Sequence, residues 1–135
     1  MHVYISHVAA DDKLADRVAA VLREAGLQVW DESQILPGDN WAEKLAEGLQ
    51  ASNAIVVLLT PNSANSANVG YEVGYALGNK DFKGRLIPVV VERPGEMAPI
   101  AAPWIFSKLR TIYLADPEND DAGLREIAQA LKAAA

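Results

Sequence analysis

The sequence contains no cysteine, little positive charge and no hydrophobic run of membrane-spanning length. Without cysteine, the chain has neither a disulfide framework nor a thiolate nucleophile. Its 12 basic residues against 18 acids give a formal net charge of -6, which argues against general affinity for nucleic acids or anionic lipids. No signal peptide is recognisable at the start. We therefore expect a cytoplasmic protein that binds neither nucleic acid nor membrane.

Several catalytic motifs are missing as well. The chain has no Walker or G-x-G-x-x-G phosphate loop and no G-x-S-x-G nucleophile elbow. Ser6 and His7 are adjacent on a predicted strand end and would point apart, which disfavours a Ser-His-acid site. With His2 and His7 as the only histidines, a zinc site lacks its usual ligands. We expect no metal and no resident cofactor.

The most informative apolar stretch runs from Ala54 to Leu59. Every position in it is apolar and most are β-branched or leucine. This composition is typical of a central parallel strand that is covered on both faces, rather than of a strand with one exposed face. Helices must then lie on both sides of the sheet.

Strand-like and helix-like segments alternate along the chain. This alternation predicts βαβ units, right-handed crossovers and a mainly parallel sheet. The predicted strands are 3–5, 27–30, 54–59, 85–91 and 111–114. We therefore predict an α/β fold of three layers, in a single domain spanning 1–135.

Short local signals mark the ends of these elements. Asp11 or Asp12 can cap the first helix, and Gly26 supplies its left-handed stop. Asn40, with a glutamate three residues later, resembles a capping box for the second helix. Pro88 removes one ladder donor from the fourth strand and so predicts a bulge or a locally unpaired stretch. Apolar residues at helical spacing predict the core-facing stripes of three helices: Leu14, Val18, Val21 and Leu22; Trp41, Leu45 and Leu49; Leu124, Ile127, Ala128 and Leu131.

The fold class also predicts where a ligand would bind. In open α/β sheets, ligands lie outside the carboxyl ends of the strands, where the strand order reverses. In a five-stranded flavodoxin-like sheet this point lies between the first and third strands. The segments that reach it are Ser6 with His7, the stretch 30–38 and the stretch 60–66.

Glu72 is an isolated acid on the helix that is predicted just after the third strand. At about 100° per residue, it lies at the border of the buried stripe formed by Val69, Val73, Ala76 and Leu77. Position alone leaves two interpretations open, a solvated surface acid and an acid that faces the site.

Five pieces of sequence follow one another in a specific order and spacing. They are YISH at 4–7, VWDESQILPGDNW at 29–41, LLTPNS at 58–63, the pair Ser66 and Glu72, and IPVVV at 87–91. Together they resemble a Toll/interleukin-1 receptor (TIR) domain of the prokaryotic kind, over nearly the whole chain. The resemblance implies a five-stranded parallel sheet in flavodoxin-like order 2-1-3-4-5 with helices on both faces.

The resemblance also implies an activity. Enzymatic members of the family cleave NAD+ at the nicotinamide glycosidic bond, and some cyclise or transfer the ADP-ribose product as a signal in defence against phage. This chain would then be an NAD+ nucleosidase whose product is read by a separate effector protein. The alternative is a non-enzymatic adaptor that acts by homotypic self-association. Ser66 and Glu72, at the family's spacing of six residues, favour the enzyme.

By resemblance, the catalytic residue is Glu72. Ser66 lies six residues before it, and Tyr71 beside it matches an aromatic residue seen in bacterial members. Many of those members carry tryptophan two residues after the serine, where this chain has Asn68. The difference puts aromatic stacking at that point in doubt but leaves the carboxylate in place.

The resemblance assigns further substrate contacts to the end of the first strand. Tyr4, Ser6 and His7 would contribute to the nucleotide pocket, and Trp30 could stack on a base or be buried. The segment from Asp31 to Trp41 matches the mobile loop that covers the pocket and mediates self-association. We predict that Asp31 and Trp41, at the two ends of this segment, contact the substrate.

A single carboxylate is sufficient for this chemistry. Nicotinamide leaves NAD+ as a neutral group and needs no general acid, so the oxocarbenium-like ribose is what must be stabilised. Glu72 near the ribose can oppose the developing positive charge, and a partly apolar helix border strengthens this interaction by excluding water. Water as the nucleophile gives ADP-ribose, while a group of the same molecule gives a cyclic product. The sequence leaves both open.

Gly70, Gly74 and Gly78 recur at every fourth residue of the same predicted helix. Each glycine in a helix interior costs about 1 kcal/mol relative to alanine, so a row of them predicts a close approach by another backbone. That backbone belongs either to a neighbouring element of the domain or to a second subunit. In the second case, the 31–41 loop of one copy would meet this helix of the next, and the homo-oligomer would complete the active site.

Overall fold

The computed structural model describes residues 2–30, 38–60, 85–91, 112–114 and 121–133. Its strands and helices, in chain order, are β1 (His2–Ser6), α1 (Asp12–Glu24), β2 (Gln28–Trp30), α2 (Trp41–Ala51), β3 (Ala54–Leu59), β4 (Leu86–Val91), β5 (Ile112–Leu114) and α3 (Asp121–Ala133). A short 3-10 turn, Ala9–Asp11, precedes α1. Among these described helices, none has the length and apolar character that crossing a bilayer requires.

The described strands form one parallel sheet. β1 lies between β2 and β3, and β4 and β5 follow on the far side of β3, which gives the order β2-β1-β3-β4-β5. The chain first moves from β1 to β2 on one side and then returns past β1 to β3. The strand order therefore reverses between β1 and β3. The predicted α/β class with a parallel sheet is confirmed.

β3 is the centre of the molecule and is buried along its whole length. Successive side chains of a strand point to opposite faces. The even-numbered residues of β3 belong to a hydrophobic cluster shared with α1 and α3, and the odd-numbered residues to a second cluster shared with α2. The prediction that this strand is covered on both faces is confirmed.

One face of the sheet is covered by α1 and α3. The predicted apolar stripes face this core, with Val18 and Leu22 of α1 fully buried and Leu14 and Val21 packed at its margin. In α3 the buried residues include Leu124, Ile127, Ala128 and Leu131. An ion pair of 3.2 Å between Arg17 and Asp121 links the two helices at the surface. Exposed pairs of this kind contribute at most about 1 kcal/mol, so the apolar stripes hold this layer together.

Pro88 is accommodated without a bulge in the ladder between β3 and β4. The register is continuous, with Val57 opposite Pro88 and paired residues on either side of it. Ile55 N–H donates to Arg85 O at 2.9 Å. In a parallel ladder every second residue bonds to the same neighbouring strand, so the odd-numbered residues of this segment face β3. The nitrogen of Pro88 therefore faces the β5 side. Among the described residues, the pairs with β5 run from Val89 with Ile112 to Val91 with Leu114. Of the two predicted alternatives, the bulge is wrong for the β3–β4 ladder, because the missing donor faces away from β3, and a locally unpaired position on the β5 side stays a prediction.

The predicted helix boundary signals at Gly26 and Asn40 are confirmed. Gly26 has φ +88°, the left-handed conformation that ends α1. At the start of α2, the backbone N–H of Glu43 donates to Asn40 Oδ1 at 3.2 Å, as expected of a helix cap.

Replacing Gly26 with alanine should destabilise the fold by about 1–2 kcal/mol, because an L side chain strains the left-handed conformation. An added Cβ would have no neighbour within 4 Å, so the cost is conformational rather than steric. Urea unfolding should show a lower midpoint at an unchanged m value. Gly26→Asn is the matched control and should lose less, since asparagine tolerates this conformation better. An alanine variant as stable as the wild type would contradict this account.

Candidate functional site

The carboxyl ends of β1 and β3 lie side by side where the strand order reverses. Ser6 at the end of β1 is in register with Val57, and β3 continues for two more residues before Thr60. This edge is where the fold class predicts ligand binding. The polar side chains described here are Ser6, His7, Asp11, Asp12 and Thr60. All of them except Asp12 belong to buried residues.

Ser6 supplies a buried hydroxyl at this edge. The residue has 0% exposure, and within the described residues its Oγ has no hydrogen-bond partner. Leaving a buried hydroxyl unsatisfied costs about 1–3 kcal/mol. A hydrogen-bonding group that met Ser6 Oγ would recover that cost, so this atom is suited to contact a polar ligand.

His7 follows immediately and is held from both sides of its ring. Nδ1 lies 3.2 Å from Ile5 O, and Nε2 lies 2.9 Å from Asp12 Oδ1. Both ring nitrogens are thus engaged, and the contact with Asp12 fixes the ring against the start of α1.

Tyr4 and Trp30 form a stacked aromatic pair on the α2 side of the sheet. Their ring centroids are 5.2 Å apart and the ring planes differ by 8°. Tyr4 is 1% exposed, whereas Trp30 is only partly buried and packs at the margin of the cluster under α2. Gly48 of α2 lies against the indole, because a Cβ built there would come within 2.7 Å of Trp30 Cζ2. The stack is therefore fixed between the sheet and the backbone of α2.

Asp11 and Thr60 form a buried hydrogen bond that the sequence reasoning missed. Thr60 Oγ1 donates to Asp11 Oδ2 at 2.6 Å. Asp11 occupies the N-cap position of α1, as predicted, but its side chain makes no capping hydrogen bond to the helix. The sequence indicated only that the two residues could be close, because both follow strands that are predicted to be neighbours and so lie at the same carboxyl edge. Their pairing required the packed structure.

The charges of α2 are turned to solvent. Lys44 Nζ donates to Glu47 Oε2 at 3.3 Å, and this hydrogen bond, reinforced by the charges of Glu47 and Asp39, raises the pKa of Lys44 above its usual value. The stabilisation from a raised lysine pKa is present below the unfolded value and is lost as the pH rises through the folded value. This surface pair is separate from the buried edge of the sheet.

The remaining predicted site residues lie outside the described residues. These are Glu72, Ser66, Asn68, Tyr71 and Asp31, together with the side chain of Trp41. The glycine row of the predicted helix lies outside them as well. The structure brings Tyr4 and Trp30 together and places Ser6 and His7 at the end of β1. In the part of the chain described, no group of three or more potential metal ligands occurs.

Comparison with protein families gives a match over residues 3–128 to the TIR domain. The chain belongs to the TIR domain family. The identification of a TIR domain from the sequence motifs is thereby confirmed. No curated protein matches this TIR domain.

Solved structures with a similar fold include two proteins of different function. A metazoan TIR-STING receptor from C. gigas, in complex with 2',3'-cGAMP, is 20% identical with a TM-score of 0.73, and the match covers 96% of this chain and 38% of that chain. The CMP N-glycosidase BcmB of Clostridium botulinum is 15% identical with a TM-score of 0.57, covering 96% and 98% respectively. This TIR domain therefore spans well under half of the receptor chain. At these identities the likeness shows the fold alone.

Gly48→Ala tests the position of the aromatic stack. In an ordinary helix interior this change stabilises by about 1 kcal/mol, but here the methyl group would collide with Trp30. Overpacking of this kind costs about 1–3 kcal/mol, so we expect a net loss of stability in urea unfolding. Near-ultraviolet circular dichroism should also change, because the stacked rings must move.

The control for this prediction is a double-mutant cycle with Trp30→Ala. Once the indole is removed, Gly48→Ala should become neutral or stabilising, since the site of the collision is gone. A Gly48→Ala variant that is more stable than the wild type while Trp30 is present would contradict the packing described.

Proposed function

We propose that this TIR domain cleaves the bond between nicotinamide and ribose in NAD+, with Glu72 as the catalytic carboxylate. The observation that carries the proposal is the hydroxyl of Ser6. It is buried, lacks a hydrogen-bond partner within the described residues, and lies at the edge where ligands of this fold class bind. From the neighbouring strand end at Thr60, the chain runs directly into the stretch that contains Ser66 and Glu72. Family membership and the spacing of these two residues support the assignment.

The fold is compatible with this type of reaction. A structure of similar fold is named as a CMP N-glycosidase, which acts on the N-glycosidic bond of a nucleotide. The proposed reaction breaks an N-glycosidic bond in a dinucleotide. Because one fold supports many functions, this similarity only shows that the architecture can hold such a site. The assignment to NAD+ depends on the family resemblance and on Glu72.

The mechanism that we propose requires one charged group at the ribose. Nicotinamide departs as a neutral molecule, and positive charge develops on the ribose that remains. The carboxylate of Glu72 opposes this charge and binds ribose hydroxyls, in surroundings made less polar by the apolar helix border. Water then attacks to give ADP-ribose, or a group of the same molecule attacks to give a cyclic product.

The described residues would bind the rest of the substrate. Ser6 Oγ is suited to a hydrogen bond with a polar group of the nucleotide, and His7 would line the pocket beside it. Since Tyr4 is buried beneath Trp30, we propose that the indole makes the contact and the phenol supports it. Asp31, Trp41, Ser66, Asn68 and Tyr71 complete the proposed set of substrate contacts.

We further propose how the domain acts in the cell. The site would be built on a complete five-stranded sheet in order 2-1-3-4-5. Self-association through the 31–41 loop and the glycine row would complete the active site. The product would be read by a separate effector protein in the cytoplasm, as part of a defence against phage. The alternative is an adaptor that only self-associates, and the experiment below distinguishes the two.

The first test is nicotinamide release from NAD+ by the purified protein, compared with Glu72→Gln. The substitution keeps the shape of the side chain but removes its charge, so we expect release to fall by at least about 100-fold. Mass spectrometry of the companion product separates hydrolysis from cyclisation. The assay should cover a range of protein concentrations, because assembly is expected to increase the specific activity.

Glu24→Gln is the matched control for the loss of a negative charge. Glu24 is an exposed residue at the end of α1. This end of the helix lies toward the amino edge of the sheet, away from the proposed site, so Glu24→Gln should retain full activity. No nicotinamide release at any protein concentration would exclude the enzyme and favour the adaptor. Full activity of a strict monomer would exclude completion of the site by assembly.

A further inference from the structure

The hydrogen bond between Thr60 and Asp11 joins two loops that are far apart in the sequence. The residues are 49 positions apart, and Thr60 Oγ1 lies 2.6 Å from Asp11 Oδ2. Thr60 is 1% exposed and Asp11 is 4% exposed. A distance this short is typical of a hydroxyl that donates to an ionised carboxylate, which is about twice as strong as a neutral hydrogen bond. Burial also shields this contact from competing water.

The place of this bond in the fold connects it with the proposed site. Asp11 ends the turn that follows β1, and Thr60 is the first residue after β3. β1 and β3 are the strands between which the order reverses. The bond therefore fixes the direction in which the chain leaves β3, relative to the loop that holds His7.

The side chain of Asp11 does not make the helix-capping hydrogen bond that is usual at its position. A carboxylate at the N-cap normally accepts a hydrogen bond from the first turn of its own helix. That capping bond is not made in α1, and Oδ2 accepts from Thr60 instead. The same carboxylate is thus used to tie the β3 loop to the β1 loop.

We propose that Asp11 and Thr60 are positioning residues for the end of β1 and the loop after it, which carry Ser6 and His7 beside the proposed site. They act by holding this loop against the end of β3, not through contact with the reacting atoms. The catalytic part of this inference rests on the proposed cleavage of NAD+, whereas the positional part does not. A misplacement of about 1 Å can lower an enzymatic rate about 100-fold, so losing the tie should lower kcat more than it changes KM.

The test compares Thr60→Val with Thr60→Ser in the full chain. Valine keeps the shape and removes the donor, while serine keeps the hydroxyl. We expect Thr60→Val to lower kcat by about 10- to 100-fold with KM changed by no more than about threefold, and Thr60→Ser to stay close to the wild type. Hydrogen exchange measured by mass spectrometry should become faster in peptides that cover 6–12 in the valine variant, with little change in α3.

Val18→Ala is the control for a general loss of stability. Val18 lies fully buried in the cluster shared by α1 and α3, on the opposite face from α2. Its variant should exchange faster throughout the domain and keep its kcat at low temperature. If Thr60→Val does not fold, Asp11→Asn replaces it, because asparagine keeps an acceptor but loses the charge.

Each outcome decides the proposal. A local increase in exchange at 6–12 in Thr60→Val, absent in Thr60→Ser, supports positioning. The proposal is overturned if Thr60→Val leaves both kcat and local exchange unchanged, if it behaves like Val18→Ala, or if serine fails as badly as valine. A wild type that releases no nicotinamide disproves NAD+ cleavage, and the exchange comparison alone then decides the positional inference.

Discussion

The whole architecture depends on the burial of β3 on both of its faces. A strand without an exposed side chain requires an apolar layer above and below it, and its backbone must be paired on both edges. The helices α1 and α3 supply one layer and α2 contributes to the other, while β1 and β4 pair with the strand at its edges. This requirement also determines where the sheet can accept polar chemistry.

Polar groups are concentrated at the end of the strands because the strand interiors exclude them. Five buried polar residues are described, and four of these, Ser6, His7, Asp11 and Thr60, lie at the carboxyl edge between β1 and β3. Burying polar groups is costly unless they are hydrogen-bonded or serve a ligand. Asp11 with Thr60 and His7 with Asp12 meet the first condition, and Ser6 is a candidate for the second.

The family and the function rest on different observations. Membership of the TIR family follows from the match over 3–128 and agrees with the parallel sheet. The similar folds include a receptor solved with a cyclic dinucleotide and a nucleotide N-glycosidase, so the fold alone does not determine the chemistry. The proposed function therefore depends on specific residues, above all Glu72, and on how the two loops at the strand reversal are held.

The signals that predicted the fold correctly are local or periodic. Gly26 and Asn40 determine helix ends through their own backbone and side-chain geometry, and the apolar stripes follow from helical periodicity. The same reasoning located the candidate site, because the reversal point follows from the order of the strands. It could assign Glu72 only by resemblance, since helical position alone left its exposure undecided.

The α/β class, the central strand, the family and the edge of the sheet where the site is expected could all be inferred from the amino-acid sequence. These follow from composition, spacing and neighbouring residues. The packed fold was needed to establish that Asp11 bonds to Thr60 rather than to its own helix, that the nitrogen of Pro88 faces β5, and that Gly48 packs on Trp30. Each of these depends on which distant residues are brought together by register and packing, and no local pattern contains that information.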